Sequence, residues 1–418
     1  MEINKKILND NPNEILYVSF NQEGTNVAIG TENGFKIINI FPFLDLYYRN
    51  LEGGIGIIEM LNKSNILALV GGGKNPKYPL NELILWDEDK NKEIIKIKTK
   101  KKILNVKLNE NKIYIVNIEK VLVFDFNTLN LIETLYTKNP RGLVSLCYKE
   151  DIIAYPDTNH EGTIKIKNYN INKEYTLKAH KTPLYCIQLN QDGKLIGTCS
   201  LKGTLIRVYD IEKNQLIREV RRGAESANVY CIAFDISQKY FAVASDRKTI
   251  HIFFLSDSNN TLNNNIDYSN YYSNNIECIE EDVLNNNHRI SDNNNEENKT
   301  KIINNENKIQ NKISFDTDNK HKMRNFNIGL KTKYTTTLDI KNRNSVFKGM
   351  SNFFNVGKRY FGSEWSFSKF KFNGAKSLII FGQDNSIIIV TYDGKYYQAS
   401  FDPINGGEDC YKIQEAKF

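Results

Sequence analysis

The chain of 418 residues is poor in cysteine, with six at positions 147, 186, 199, 231, 278 and 410 and no C-x-x-C pair among them. That spacing excludes a zinc ribbon and a disulfide framework. Four of the six fall in apolar runs and are expected to be buried, reduced thiols of a cytosolic protein. No apolar run approaches the roughly 18 residues of a membrane-spanning helix. The opening Met1-Glu2-Ile3-Asn4-Lys5-Lys6 offers no apolar core of a secretory signal. Histidine is scarce, at five residues. There is no H-E-x-x-H, no G-x-S-x-G elbow and no framed pair of carboxylates, so no enzyme activity, metal or cofactor is expected. Gly71-Gly72-Gly73-Lys74 lacks the spacing of a phosphate loop and reads as a loop between strands.

Apolar residues make up 40% of the chain and charged residues 25%, the composition of a protein with a sizeable core. The formal charge of +7 favours anionic partners, and charge alone does not separate nucleic acid from an acidic lipid surface. Short runs rich in Ile, Val, Tyr and Phe alternate with turns of Asn, Asp, Gly and Lys. They form seven groups of three or four strands, beginning with residues 15–20, 26–30 and 35–40 and ending with 377–381, 386–391 and 395–401. Groups recur about every forty residues, the period of propeller blades. The expected fold is all-β, a seven-bladed β-propeller spanning 1–418.

Residues 256–362 interrupt the sixth group after its third strand, and the fourth strand is expected to resume at 365–372. The insertion is rich in Asn, Lys, Asp and Glu, with little to bury, and is expected to be largely disordered. Its charge is segregated: residues 256–297 carry −8 and residues 298–362 carry +10. Its distal part, about 344–362, places Phe347, Met350, Phe353, Phe354 and Phe361 beside Lys348, Lys358 and Arg359. Large apolar residues bordered by cations suit a segment that enters the headgroup layer of a membrane. A strand-capping segment is the plainer alternative, and Gly349 and Gly357 weaken a helix there.

Between the fifth and sixth groups stands Val220-Arg221-Arg222-Gly223. The repeat before it reads Cys199-Ser200-Leu201-Lys202-Gly203-Thr204-Leu205-Ile206-Arg207, and the one after it Ala244-Ser245-Asp246-Arg247-Lys248-Thr249-Ile250-His251. Neighbouring side chains in an extended chain point to opposite sides, so Arg221 and Arg222 are expected to serve different pockets. Guanidinium groups with Ser and Thr hydroxyls are suited to capture phosphate. Each residue also has a plainer role. The arginines would be a solvated pair, His180 a structural histidine joining strands, and Ser200 and Ser245 partners of turn backbone. Thr204 and Thr249 would be ordinary strand residues, and Gly223 a turn residue needing unusual backbone angles.

The chain resembles the PROPPIN family of phosphoinositide-binding β-propellers that act in autophagy. The resemblance covers nearly the whole propeller. It is carried by Leu16-Tyr17-Val18-Ser19-Phe20, by Leu69-Val70-Gly71-Gly72-Gly73-Lys74-Asn75-Pro76, by Leu85-Trp86-Asp87, by Asn139-Pro140-Arg141-Gly142 and by Ala179-His180. The family's paired arginine motif has Phe or Leu where this chain has Val220, an apolar exchange that leaves both arginines in place. The resemblance implies two headgroup sites. The first would use His180, Thr198, Ser200, Gly203, Thr204, Arg207 and Arg221, and the second Arg222, Gly223, Ser245, Thr249 and His251. Counting along the strands puts Arg207 three residues after Thr204 but His251 two after Thr249, so the repeats are not symmetric.

The resemblance further implies a monomer that binds phosphatidylinositol 3-phosphate, the 3,5-bisphosphate, or both, and recruits autophagy-type protein partners. It would be cytoplasmic and peripheral on pre-autophagosomal, endosomal or vacuolar membranes, with no specific nucleic-acid partner. A protein-interaction scaffold with weak or no lipid binding is the alternative, and nonspecific RNA binding by the basic stretch a third reading.

Overall fold

Short strand-forming runs, broken by turns whose Asn62, Asn91, Asn172 and Asn214 take positive φ, fold in the computed structural model into seven sheets, each built on four antiparallel strands. Asparagine tolerates this left-handed conformation, which is why it recurs where the chain must reverse. The structure describes residues 14–255, 343–344, 364–374, 376–403 and 409–418. The chain divides into two units, 1–258 with 339–418, and 259–338. The second unit, and the apolar tip residues Phe347, Met350, Phe353, Phe354 and Phe361, lie outside the described residues.

The four strands of each blade lie side by side in chain order. Sheet 1 holds β1 (Ile15–Phe20), β2 (Asn26–Thr31), β3 (Gly34–Asn39) and β4 (Leu44–Asn50). Sheet 2 holds β5 (Ile55–Met60), β6 (Ile66–Gly71), β7 (Glu82–Asp87) and β8 (Lys92–Lys98). Sheet 3 holds β9 (Asn105–Leu108), β10 (Lys112–Val116), β11 (Lys120–Asp125) and β12 (Leu131–Tyr136). Sheet 4 holds β13 (Ser145–Cys147), β14 (Ile152–Pro156), β15 (Thr163–Asn168) and β16 (Lys173–Lys178). Sheet 5 holds β17 (Leu184–Leu189), β18 (Leu195–Ser200), β19 (Leu205–Asp210) and β20 (Gln215–Arg221). Beyond β20 it continues through two short strands, β24 (Arg343–Asn344) and β25 (Glu364–Trp365). Sheet 6 holds β21 (Val229–Phe234), β22 (Tyr240–Ser245), β23 (Thr249–Phe254) and β26 (Ser368–Lys371). Sheet 7 holds β27 (Ser377–Phe381), β28 (Ser386–Thr391), β29 (Lys395–Ser400) and β30 (Tyr411–Lys417).

A separate apolar cluster fills each space between consecutive sheets, from sheets 1 and 2 round to sheets 6 and 7. The seventh joins the two ends of the series: Val18, Val27 and Ile29 of sheet 1 pack on Ile388, Val390 and Tyr396 of sheet 7. The sheets therefore close into a seven-bladed ring by side-chain packing, with no strand exchanged between the first and last blades among the described residues. Closure hides sheet edges that would otherwise pair with other chains. No helix occurs among the described residues.

The insertion leaves sheet 6 after β23, and the chain returns to that sheet at β26, as expected. Trp365 is a correction to the expected strand 365–372. It belongs to β25, which runs parallel to β20 with Val220 opposite Glu364, so it extends the neighbouring sheet. The fourth strands β4 and β30, absent from the sequence reading, complete the first and last blades.

Candidate functional site

Register sorts the side chains around the arginine pair. In sheet 5, Thr198 lies opposite Arg207, Arg207 opposite Glu219, and Arg221 opposite Leu205. Side chains opposite one another share a face. The face of Thr198, Arg207, Glu219 and Arg221 also carries Ile196 and Tyr209, which pack toward sheet 4. The other face carries Cys199, Ile206, Val208 and Val220, which pack toward sheet 6. In sheet 6, Ser245, Thr249 and His251 share a face with Phe241, Val243 and Phe253, which look back toward sheet 5. The first set of residues thus belongs to the boundary of blades 4 and 5, and the second to the boundary of blades 5 and 6.

At the first boundary His180 Nε2 lies 3.0 Å from Thr198 Oγ1, and Thr198 donates to the Arg207 carbonyl at 3.2 Å. Arg207 spans the interface: its Nη1 donates to the Ala179 carbonyl at 2.6 Å and its Nε to Glu219 Oε2 at 2.7 Å. Burial, reinforced by the Arg207 charge, pushes the His180 imidazole down to about 4, so it is neutral near pH 7. The unequal spacing of Thr204 and Arg207 against Thr249 and His251 has a simple cause: Thr204 precedes β19 and sits in the turn, where strand alternation does not apply. Gly203 takes φ +64 in that turn, and a Cβ there would lie 1.7 Å from the Ala227 carbonyl oxygen. The Ala227 amide donates to the Lys202 carbonyl at 3.2 Å, and the Arg222 amide to that of Thr204 at 2.9 Å. These contacts strap the segment after β20 onto the β18–β19 turn.

At the second boundary Arg222 is only 4% exposed. Its Nε donates to the Gly203 carbonyl at 2.9 Å and its Nη2 to the Glu225 carbonyl. Burial, and next the charge of Arg247, lower its pKa. Ser245 is buried, and its Oγ accepts from the Arg247 amide at 3.4 Å. Thr249 donates to the Arg247 carbonyl at 3.3 Å. His251 Nδ1 lies 3.3 Å from Ser366 Oγ, its ring stacks on Phe253, and it faces Lys369 across the β23–β26 pair. Burial first, then the charges of Lys369 and Arg222, push its imidazole down to about 3. Gly223 does not fit the turn role expected of it: its φ is not positive, and a Cβ there would meet nothing within 4 Å.

Four residues escaped the sequence reading. Glu219 lies two positions before Arg221 on one strand and so on the same face, a parity that was available from the sequence. Arg247 stands inside the quoted downstream repeat; it donates to the Ser226 carbonyl at 2.9 Å and pairs with Glu225 at 3.1 Å. Lys369 arrives from beyond the insertion and could not be placed by local spacing. Arg218 ties both stems of the insertion to β20, donating to the Leu255 carbonyl at 2.7 Å and pairing with Glu364 at 3.2 Å. Among the described residues no three His, Cys, Asp or Glu come together as a metal site.

The architecture defines a closed seven-bladed propeller with a cationic cluster on each side of its fifth blade. The family whose model matches residues 15–285 is PROPPIN, and the chain belongs to it. It is similar to SVP1-like protein 2 of Saccharomyces cerevisiae, 33% identical over 306 residues that cover 64% of this chain and 68% of that one. It is also similar to autophagy-related protein 18e of Arabidopsis thaliana, 33% identical over 250 residues, or 58% of this chain and 66% of that one. Among solved structures, Kluyveromyces lactis Hsv2 superposes with a TM-score of 0.64 at 21% identity, covering 97% of this chain and 99% of that one.

Proposed function

We propose that this propeller is a peripheral membrane effector that binds inositol lipids phosphorylated at the 3-position, as phosphatidylinositol 3-phosphate, the 3,5-bisphosphate, or both. One headgroup would occupy the boundary of blades 4 and 5 with Arg221, Arg207, Thr198, Ser200, Thr204 and His180. The other would occupy the boundary of blades 5 and 6 with Arg222, Ser245, Thr249 and His251. The observation that carries the reading is the division of consecutive arginines: Arg221 belongs to the sheet 5 face turned to blade 4, and Arg222 lies within electrostatic reach of Arg247 and His251 of blade 6. Phosphate is held best by guanidinium forks and short hydroxyls, and both clusters offer them.

Two modest sites on one rigid body raise membrane affinity through effective concentration. The apolar tip of the insertion, Phe347, Met350, Phe353, Phe354 and Phe361, would add insertion into the headgroup layer. The bound propeller would recruit autophagy-type protein partners to the membrane, a role suggested by the family and by the names of its relatives. A second reading, a protein-docking scaffold, is favoured by one observation: Leu131, Ile132 and Tyr136 lie exposed along β12. An array of inositol phospholipids probed with the intact chain separates the two. The lipid reading expects retention on 3-phosphorylated species above unphosphorylated phosphatidylinositol, and equal or no retention on both contradicts it.

A further inference from the structure

Arg207 has two kinds of partner. The Ala179 carbonyl at 2.6 Å is a buried acceptor that also takes the Tyr209 hydroxyl at 2.9 Å. Glu219 at 2.7 Å is different: its side chain is 39% exposed, against 26% for that of Arg207. It is therefore the partner that an approaching anion meets and can displace. Glu219 also stands two residues from Arg221 on the same strand face, so its negative charge sits inside the cationic cluster rather than at its edge.

We propose that Glu219 sets the affinity of the site between blades 4 and 5, as a resident carboxylate that a ligand phosphate must outcompete for Arg207. The inference rests on the assignment of Arg207 and Arg221 to a headgroup site. A phosphate monoester carries close to two negative charges near pH 7 and three acceptor oxygens. It can offer the Arg207 fork more than a single carboxylate does. The phosphodiester of an ordinary anionic lipid carries one charge, no more than Glu219 already supplies, and gains little by exchange. The carboxylate thus lowers affinity for every anion that takes Arg207, as a built-in competitor, and leaves useful binding only to a strongly charged one. The opposite role is also physically sound: a carboxylate that merely holds Arg207 in place would strengthen phosphate binding. The two roles predict effects of opposite sign.

The test uses the full chain and calorimetric titration with soluble inositol 1,3-bisphosphate, with inorganic phosphate as a parallel arm. Glu219→Gln is expected to tighten headgroup binding about 5-fold, the factor one unit charge gives at ~4 Å in water-like surroundings. The gain should vanish when Arg207→Gln is already present. It should not appear in Glu212→Gln, an equal charge change in the turn at the far end of the same hairpin. Inorganic phosphate should bind far more weakly than the headgroup in every variant. On vesicles, Glu219→Gln should raise binding to the 3-phosphorylated lipid at least as much as binding to phosphatidylserine alone. Gained affinity cannot come from a misfolded variant. Unchanged or weaker headgroup binding, a gain that survives Arg207→Gln, or an equal gain in Glu212→Gln would each overturn the competitor role while leaving the lipid reading intact. A wild-type chain that binds neither headgroup nor vesicle removes both.

Discussion

The Gly203 Cα lies so near Ala227 that one added methyl would stand 1.7 Å from the Ala227 carbonyl oxygen. Gly203 also holds φ +64, a backbone conformation that side chains resist. The two glycines of the proposed sites therefore differ. Gly203→Ala should lower stability by about 2 kcal/mol or more, from strain and from displacing the segment that carries Arg222. Gly223→Ala should fall within about 0.5 kcal/mol of wild type, since its Cβ enters open space at an ordinary φ. Urea unfolding of both variants checks this; equal losses would mean that the strap between the β18–β19 turn and Ala227 does not exist.

Near the middle of the ring, where the first strands of neighbouring blades touch, Lys107 Nζ lies 2.9 Å from both carboxylate oxygens of Glu59. Glu59 is 0% exposed, and the Tyr148 hydroxyl completes its shell at 3.3 Å. Lys107→Met would strand a buried carboxylate, at a cost of about 3–5 kcal/mol. Adding Glu59→Gln removes the stranded charge and should restore most of that loss. Denaturant midpoints of the single and double variants decide the matter, and a double variant as unstable as the single one would contradict it.

The neutral histidines make stability depend on pH. A histidine held near 3 in the folded state, as His251 is, binds its proton in the unfolded chain first, from about 6.5 downward. The unfolded state then holds more protons than the native state, so stability rises with pH across this range and is lost as pH falls through it. Between pH 7 and 5, His251 alone should remove about 2 kcal/mol. His180, held near 4, acts in the same direction. Unfolding free energies measured at both pH values should show a shallower loss in His251→Asn than in wild type; parallel pH profiles would refute a neutral buried imidazole.

Much of the ring was legible because its inner strands are nearly all apolar, as in β2 and β28, where every residue is buried. The strands that escaped notice, β4 and β30, face solvent along most of their length, and even their apolar Leu46, Tyr48, Tyr411 and Ile413 are exposed, so neither strand has a buried apolar face. Their pairing is set by the neighbouring strand, not by their own pattern. Around the site, alternation puts Arg221 on the face of Arg207 and Glu219, while Arg222 just past β20 bonds the Gly203 and Glu225 carbonyls. Alternation misled at Thr204, which lies in a turn, while the turn role expected of Gly223 fails because its φ is not positive. Glu219 was hidden by a search for cations and hydroxyls alone. Lys369 and Ser366 are brought to His251 only by the return of the chain from the insertion, which no local spacing foretells.

The most direct test is co-sedimentation of Arg221→Thr/Arg222→Thr with vesicles containing phosphatidylinositol 3-phosphate. Arg222 gives up two bonds to backbone carbonyls, so the variant should lose about 1–3 kcal/mol and must first be shown to be folded by its thermal transition. Folded protein left in the supernatant, with wild type in the pellet and each single variant between them, is the result expected of two sites divided by blade 5. A folded double variant that sediments as wild type does would contradict it.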